Sequence, residues 1–62
     1  MKYSELHRII IKSGWHYLYA RGSHYYYEKN GIISTPVPHH GSKEIGEGLR
    51  RKIFKEMQLT TN

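Results

Sequence analysis

The chain has no cysteine, no aspartate, one phenylalanine, one tryptophan, two prolines and five acidic residues among its 62 positions. Each shortage excludes something. Without cysteine there is no disulfide framework and no thiolate metal site, so packing and hydrogen bonds must hold the fold. No apolar run approaches the roughly 20 residues that cross a bilayer. The opening Met1-Lys2-Tyr3-Ser4-Glu5 lacks the apolar stretch of a secretory signal. These absences predict a soluble protein of the cytoplasm with no membrane association. A chain this short buries only about 60% of its unfolded surface. That is enough for one domain, residues 1–62, with no mass left for a second domain or a deep substrate cavity.

What is abundant is positive charge and tyrosine. Lysine and arginine number 10 against the five acids, for a net charge of +5. So large an excess on so small a body spreads a positive field over much of the surface and points to polyanionic partners. A membrane surface would call for a long basic amphipathic helix with a broad apolar face, and none is visible. Nucleic acid is the remaining polyanion. Six tyrosines offer rings that build a core where Phe and Leu are scarce, and those left exposed can stack on unpaired bases or anchor a protein partner.

Apolar residues Leu6, Ile9 and Ile10 recur at helical spacing. With Ser4 as N-cap and Gly14 as the left-handed stop, they predict a first helix over about 5–13, with His7 on its exposed side. Aromatic, β-prone residues from Trp15 to Arg21 predict a first strand. Strict alternation there separates Trp15, Tyr17 and Tyr19 from His16, Leu18 and Ala20. Gly22-Ser23 is a turn and His24–Glu28 a second strand, with Tyr25 and Tyr27 expected toward the core and His24 on the open face. Lys29-Asn30-Gly31 contains the strongest short-range hairpin signal. Ile32–Val37 is then a third strand, placed at an edge because Pro36 cannot donate to a ladder. Leu49, Ile53 and Met57 at i, i+4, i+8, with Phe54 beside them, predict a second helix beginning near Glu47. The order is α-β-β-β-α, an α+β fold. Two helices can cover only one face of the three-stranded antiparallel sheet, which leaves the other face open.

The element Arg21-Gly22-Ser23-His24-Tyr25-Tyr26-Tyr27, followed by Asn30-Gly31 and then Thr35-Pro36-Val37-Pro38-His39-His40, resembles the HicA toxins, small bacterial endoribonucleases of toxin–antitoxin pairs. The resemblance runs from Ser4 to Leu59. It implies a double-stranded-RNA-binding-like fold, mRNA as substrate, and a HicB-type antitoxin as partner. It also implies that His24, which matches the Gly-Ser-His element residue for residue, is the catalytic histidine. Cleaving RNA without metal needs a base for the 2′-hydroxyl and an acid for the leaving 5′-oxygen. Imidazole, with an unperturbed pKa of about 6.5, suits both tasks.

Around His24, Arg21 is placed to stabilise charge on the phosphorane and Ser23 to bond a phosphate. Tyr26, Lys29, His40, Arg50 and Arg51 are the further RNA-contact candidates. Of these, His40 fits the Pro-x-His that often ends the third strand in HicA-like sequences. His39 and His40 together with His24 invite a zinc reading. Zinc needs three or four ligands in suitable geometry; no Cys or Asp is available and no glutamate has ligand spacing with these histidines, so no metal or other cofactor is expected. Two rival readings remain for the same fold: a non-catalytic RNA-binding module, which would rely on shape and phosphate contacts, and a protein-binding adaptor.

Overall fold

The computed structural model describes residues 1–59; the last three positions of the 1–62 domain lie outside the described residues. The elements are α1 (Tyr3–Lys12), β1 (His16–Arg21), β2 (His24–Lys29), β3 (Ile32–Ile33), β4 (Val37–Pro38) and α2 (Glu47–Glu56). The sheet is antiparallel throughout. β1 pairs with one side of β2, while β3 and β4 pair in succession with the other. The fold is α+β, with four strands where three were expected.

Helix α1 starts a turn's fraction earlier than Ser4 would allow as a cap, because Lys2 is the N-cap. No cap side chain is needed there. The orphan N–H groups of Tyr3 and Ser4 donate to the carbonyls of Lys43 and Gly41, each at 3.0 Å, and the Lys2 N–H donates to Glu5 Oε1 at 2.9 Å. Tertiary partners thus do what a capping hydroxyl would otherwise do. At the other end Gly14, with φ +96°, turns the chain out of the helix as expected. Helix α2 begins at Glu47, also as expected.

The turn after β2 has positive φ at both Asn30 (53°) and Gly31 (79°). That is the sign pattern of the type I′ turn that matches strand twist. The expected third strand is interrupted. After Ile33, the Ser34 hydroxyl accepts the Tyr27 N–H at 3.0 Å, so a side chain takes over a ladder position, and Pro36 has no N–H to restore it. Pairing resumes one residue out of step. Glu28 faces Ile33, but Tyr25 faces Val37. Because a one-residue slip exchanges the faces of a strand, Val37 turns inward and is fully buried.

β1 carries a second irregularity. Tyr17 faces Tyr27, yet Tyr19 faces Tyr26, so Leu18 is an extra residue, a β-bulge. The alternation expected for β1 therefore breaks: Tyr17 lies on the helix side with Tyr25 and Tyr27, and Tyr19 lies on the opposite side. Leu6, Ile10, Trp15, Tyr27, Val37, Ile45, Ile53, Met57 and Leu59 form the core, between the helices and the sheet face that carries Tyr27 and Val37.

Candidate active site

Strand β2 begins where three parts of the chain converge. The two-residue Gly22-Ser23 turn, with Gly22 at φ +56°, sets Arg21 directly across from His24, and β4 sets Pro38 across from His24 on the other side. The next residue after Pro38 closes the join, since the His39 N–H donates to the Ser23 carbonyl at 2.8 Å. The Gly-Ser-His and Pro-His-His elements, distant in sequence, are therefore neighbours in the sheet. His24 and Arg21 are exposed and Ser23 is half-buried. By the strand's alternation, His24 and Tyr26 share the open face, and the register adds Arg21 and Tyr19 to it. Tyr25 and Tyr27 face the helices, half-buried and buried respectively, as expected.

The helix-side face of the same sheet end holds a polar cluster that the sequence did not announce. His7, expected at the surface of α1, is buried, with 6% of its surface exposed. Its Nε2 lies 2.8 Å from the Pro38 carbonyl and its Nδ1 2.6 Å from the Tyr27 hydroxyl. A carbonyl only accepts, so Nε2 carries the proton. Nδ1 then accepts from the Tyr27 O–H, and the ring is neutral. Burial holds the His7 pKa below its usual value despite the Pro38 bond, and the nearby His39 adds to the effect. Burial, with Tyr25 and Tyr17 close by, pushes the Tyr27 phenol up to about 12, so it stays a donor. His39 stacks on His7, with centroids 4.2 Å apart, and sits 5.0 Å from Tyr25. One signal for this burial was available: His7 lies four residues after Tyr3 and three before Ile10, on the face that packs inward. Its polarity argued the other way, because the partners that satisfy it come from β2 and β4.

His24 and His39 consequently face opposite sides of the sheet, and His39 Nδ1 is occupied by the Gly41 N–H at 3.1 Å. His40 is exposed, edge-on to Tyr3 at 4.9 Å. The histidines that suggested zinc thus point apart, and among the described residues no three His, Cys, Asp or Glu side chains gather at metal-binding distance.

The remaining candidates lie elsewhere. Lys29 is at the far end of β2, about 17 Å along the strand from His24 at 3.3–3.4 Å per residue. Its ammonium donates to the Ser13 carbonyl at 2.8 Å, at the end of α1. A shallow cleft of about 240 Å³ at that end, lined by Trp15, Lys29, Ile32 and Met57, is correspondingly remote from His24. On α2, Arg51 pairs with Glu47 at 2.6 Å, and the Arg50 guanidinium sits over the Phe54 ring at 5.5 Å. The structure therefore brings together Arg21, Ser23, His24 and Tyr26, places Lys29 at the other end of β2, and carries Arg50 and Arg51 on α2. What the first group can do is present an imidazole and a guanidinium to an extended anion on an uncovered surface. No helix is long and apolar enough to cross a membrane among the described residues.

Comparison with known proteins places the chain in a family. Residues 3–59 match the family described as "HicA toxin of bacterial toxin-antitoxin". The chain is 46% identical over 59 residues, covering 95% of it and 97% of the relative, to a protein of Pseudomonas fluorescens (strain Pf0-1) named "Probable mRNA interferase HicA". No solved structure matches the chain.

Proposed function

The chain belongs to the HicA toxin family, and from that premise we propose that it is an mRNA interferase, the toxin of a type II toxin–antitoxin pair, which cuts single-stranded RNA by metal-independent histidine acid–base catalysis. The whole chain acts as one HicA-like domain in the cytoplasm. The observation that carries this reading is the cross-strand pair of His24 and Arg21, exposed side by side on the sheet face that the helices leave bare.

In this reading the 2′-oxygen of the substrate attacks the adjacent phosphorus, the bond to the 5′-oxygen breaks, and the 2′-proton and the proton for the 5′-oxygen are moved by general acid–base groups. His24 carries one of these transfers, worth about 10²–10⁴ in rate. Arg21 stabilises the charge that develops on the non-bridging oxygens, and Ser23 at the turn bonds the phosphate. Tyr26 contacts a base. Lys29, His40, Arg50 and Arg51 contact the flanking strand through its phosphates. The antitoxin is HicB-type and covers the open face, where it blocks His24 directly.

His24→Ala tests this. It should lower cleavage of a labelled transcript by at least about a hundredfold and remove growth inhibition while circular dichroism stays unchanged. Full cleavage by the folded variant would reject His24 as the catalytic group. Retained RNA binding with no cleavage by the unaltered protein would favour the non-catalytic module, and neither activity would favour the adaptor.

A further inference from the structure

Tyr19 is on the open face only because of the bulge at Leu18. Tyr17 lies on the helix side, and in an unbroken strand a residue two positions on would lie there too. The extra residue re-aims Tyr19 to the side of His24, a use of bulges that recurs beside active sites. There it meets Tyr26, its cross-strand partner. The two rings are stacked, with centroids 4.7 Å apart and planes 16° apart. β1 is the edge of the sheet, so no strand lies beyond Tyr19, which is 45% exposed.

We propose that Tyr19 and Tyr26 form a two-ring platform on which an unpaired base of the RNA substrate stacks, beside the phosphate addressed by His24 and Arg21. The proposal rests on the reading of the open face as the RNA-cleaving surface, and it adds a positioning residue, Tyr19, that fixes which nucleotide is held next to the cut. Three features carry it. The near-parallel pair is a stack already built, so a base extends it without ordering a loose side chain first. Tyr26 is two residues from His24 and Tyr19 two from Arg21, a step of about 6.6–6.8 Å along each strand, so the platform and the His24–Arg21 cross-strand pair are adjacent on one surface. The charge suits a nucleotide and not an apolar partner alone: Arg21 makes no ion pair among the described residues, and the chain carries +5.

The test uses a short single-stranded oligonucleotide with 2′-O-methyl sugars, which lacks the attacking hydroxyl and so is bound without being cut. Affinities are compared for the unaltered protein, Tyr19→Phe and Tyr19→Ala, with Tyr19→Leu as a second aromatic-free variant should the alanine form fold poorly. Loss of the ring should weaken binding about five- to a hundredfold, and Tyr19→Phe should bind within about twofold of the parent. Replacing nucleotides one at a time by abasic sites should reveal one sensitive position with the parent protein, and that position should be insensitive with Tyr19→Ala, because the two changes remove one and the same contact. Unchanged affinity in Tyr19→Ala and Tyr19→Leu, or abasic sensitivity that persists in them, overturns the proposal. So does loss of binding to the purified antitoxin with RNA affinity intact, which assigns the platform to the protein partner. Because the oligonucleotide is not cleaved, these results stand or fall independently of His24: cleavage persisting in His24→Ala rejects the catalytic assignment without altering them.

Discussion

The ring of His7 lies almost flat against that of His39, 18° between planes, while its Nε2–H donates to the carbonyl of Pro38. Pro38 is the residue that faces His24 in the sheet. One imidazole therefore fastens α1 to the short strand that flanks the candidate catalytic residue, and it does so with both nitrogens satisfied.

His7→Leu keeps much of the side chain's volume but leaves the Tyr27 hydroxyl and the Pro38 carbonyl without this partner. Orphaning a buried hydroxyl and a partly buried carbonyl in this way should cost about 2–4 kcal/mol. Urea denaturation of the variant should show a lower midpoint with an unchanged slope. A midpoint equal to the parent's would mean that water replaces the imidazole at no cost.

Stability should also fall in mild acid. The folded protein holds His7 below its ordinary value of 6.5, so below that pH the unfolded chain binds a proton that the folded chain resists. The side chain's contribution is complete above pH 6.5 and is lost as pH falls through it toward the lower folded value. His39, stacked on the same ring, the Tyr27 hydroxyl, and Tyr25, edge-on at 5.1 Å, are the titratable groups that face it. Thermal midpoints should drop between pH 7.5 and 5.5 in the parent and change less in His7→Leu. An equal drop in both would place the acid sensitivity elsewhere.

Cleavage should survive chelation. His39 and His40 face different partners, and His24 lies across the sheet from His39, so these side chains do not converge as ligands. Digestion of a transcript in EDTA should match that in buffer. Activity lost in chelator and restored by zinc or magnesium would reinstate the histidines as metal ligands.

RNA binding should weaken as salt rises, with a log–log slope of about −0.7 for each phosphate contact to a single strand. Arg50→Ala together with Arg51→Ala should flatten the slope if α2 carries part of the strand. The Arg51–Glu47 pair is exposed and worth little, about 0–1 kcal/mol, so it does not keep Arg51 from phosphate. An unchanged slope would confine the RNA to the His24 end of the sheet.

The antitoxin should protect β2 and β1 from amide exchange, because the open face carries both His24 and the exposed Tyr19 ring. Steering by the +5 charge of the toxin would hasten capture by an acidic partner. Protection limited to α1 or α2 would instead show inhibition at a distance.

The turns and helix limits were legible in the residues themselves. Gly14, Asn30-Gly31 and the start of α2 near Glu47 all follow from conformational preferences that act over a few residues, and the resemblance carried by the Gly-Ser-His element is what points to His24. The helix-one cap was misread because α1's first N–H groups are satisfied by carbonyls some 40 residues away in sequence, where no local signal reaches. The face assignment of β1 failed for a related reason. Alternation has a period of two, so a single extra residue, Leu18 in β1 or one position between Ile33 and Val37, reverses every side chain beyond it. Whether a residue is extra depends on what stands opposite, which in β1 is Tyr26 and Tyr27. The local chain settled where strands begin and turn. Only pairing across the sheet settled that Tyr19 joins His24, that Val37 enters the core, and that His7 is buried against partners from two strands, because each outcome minimises unpaired backbone and exposed apolar surface over the whole assembly and not within any one segment.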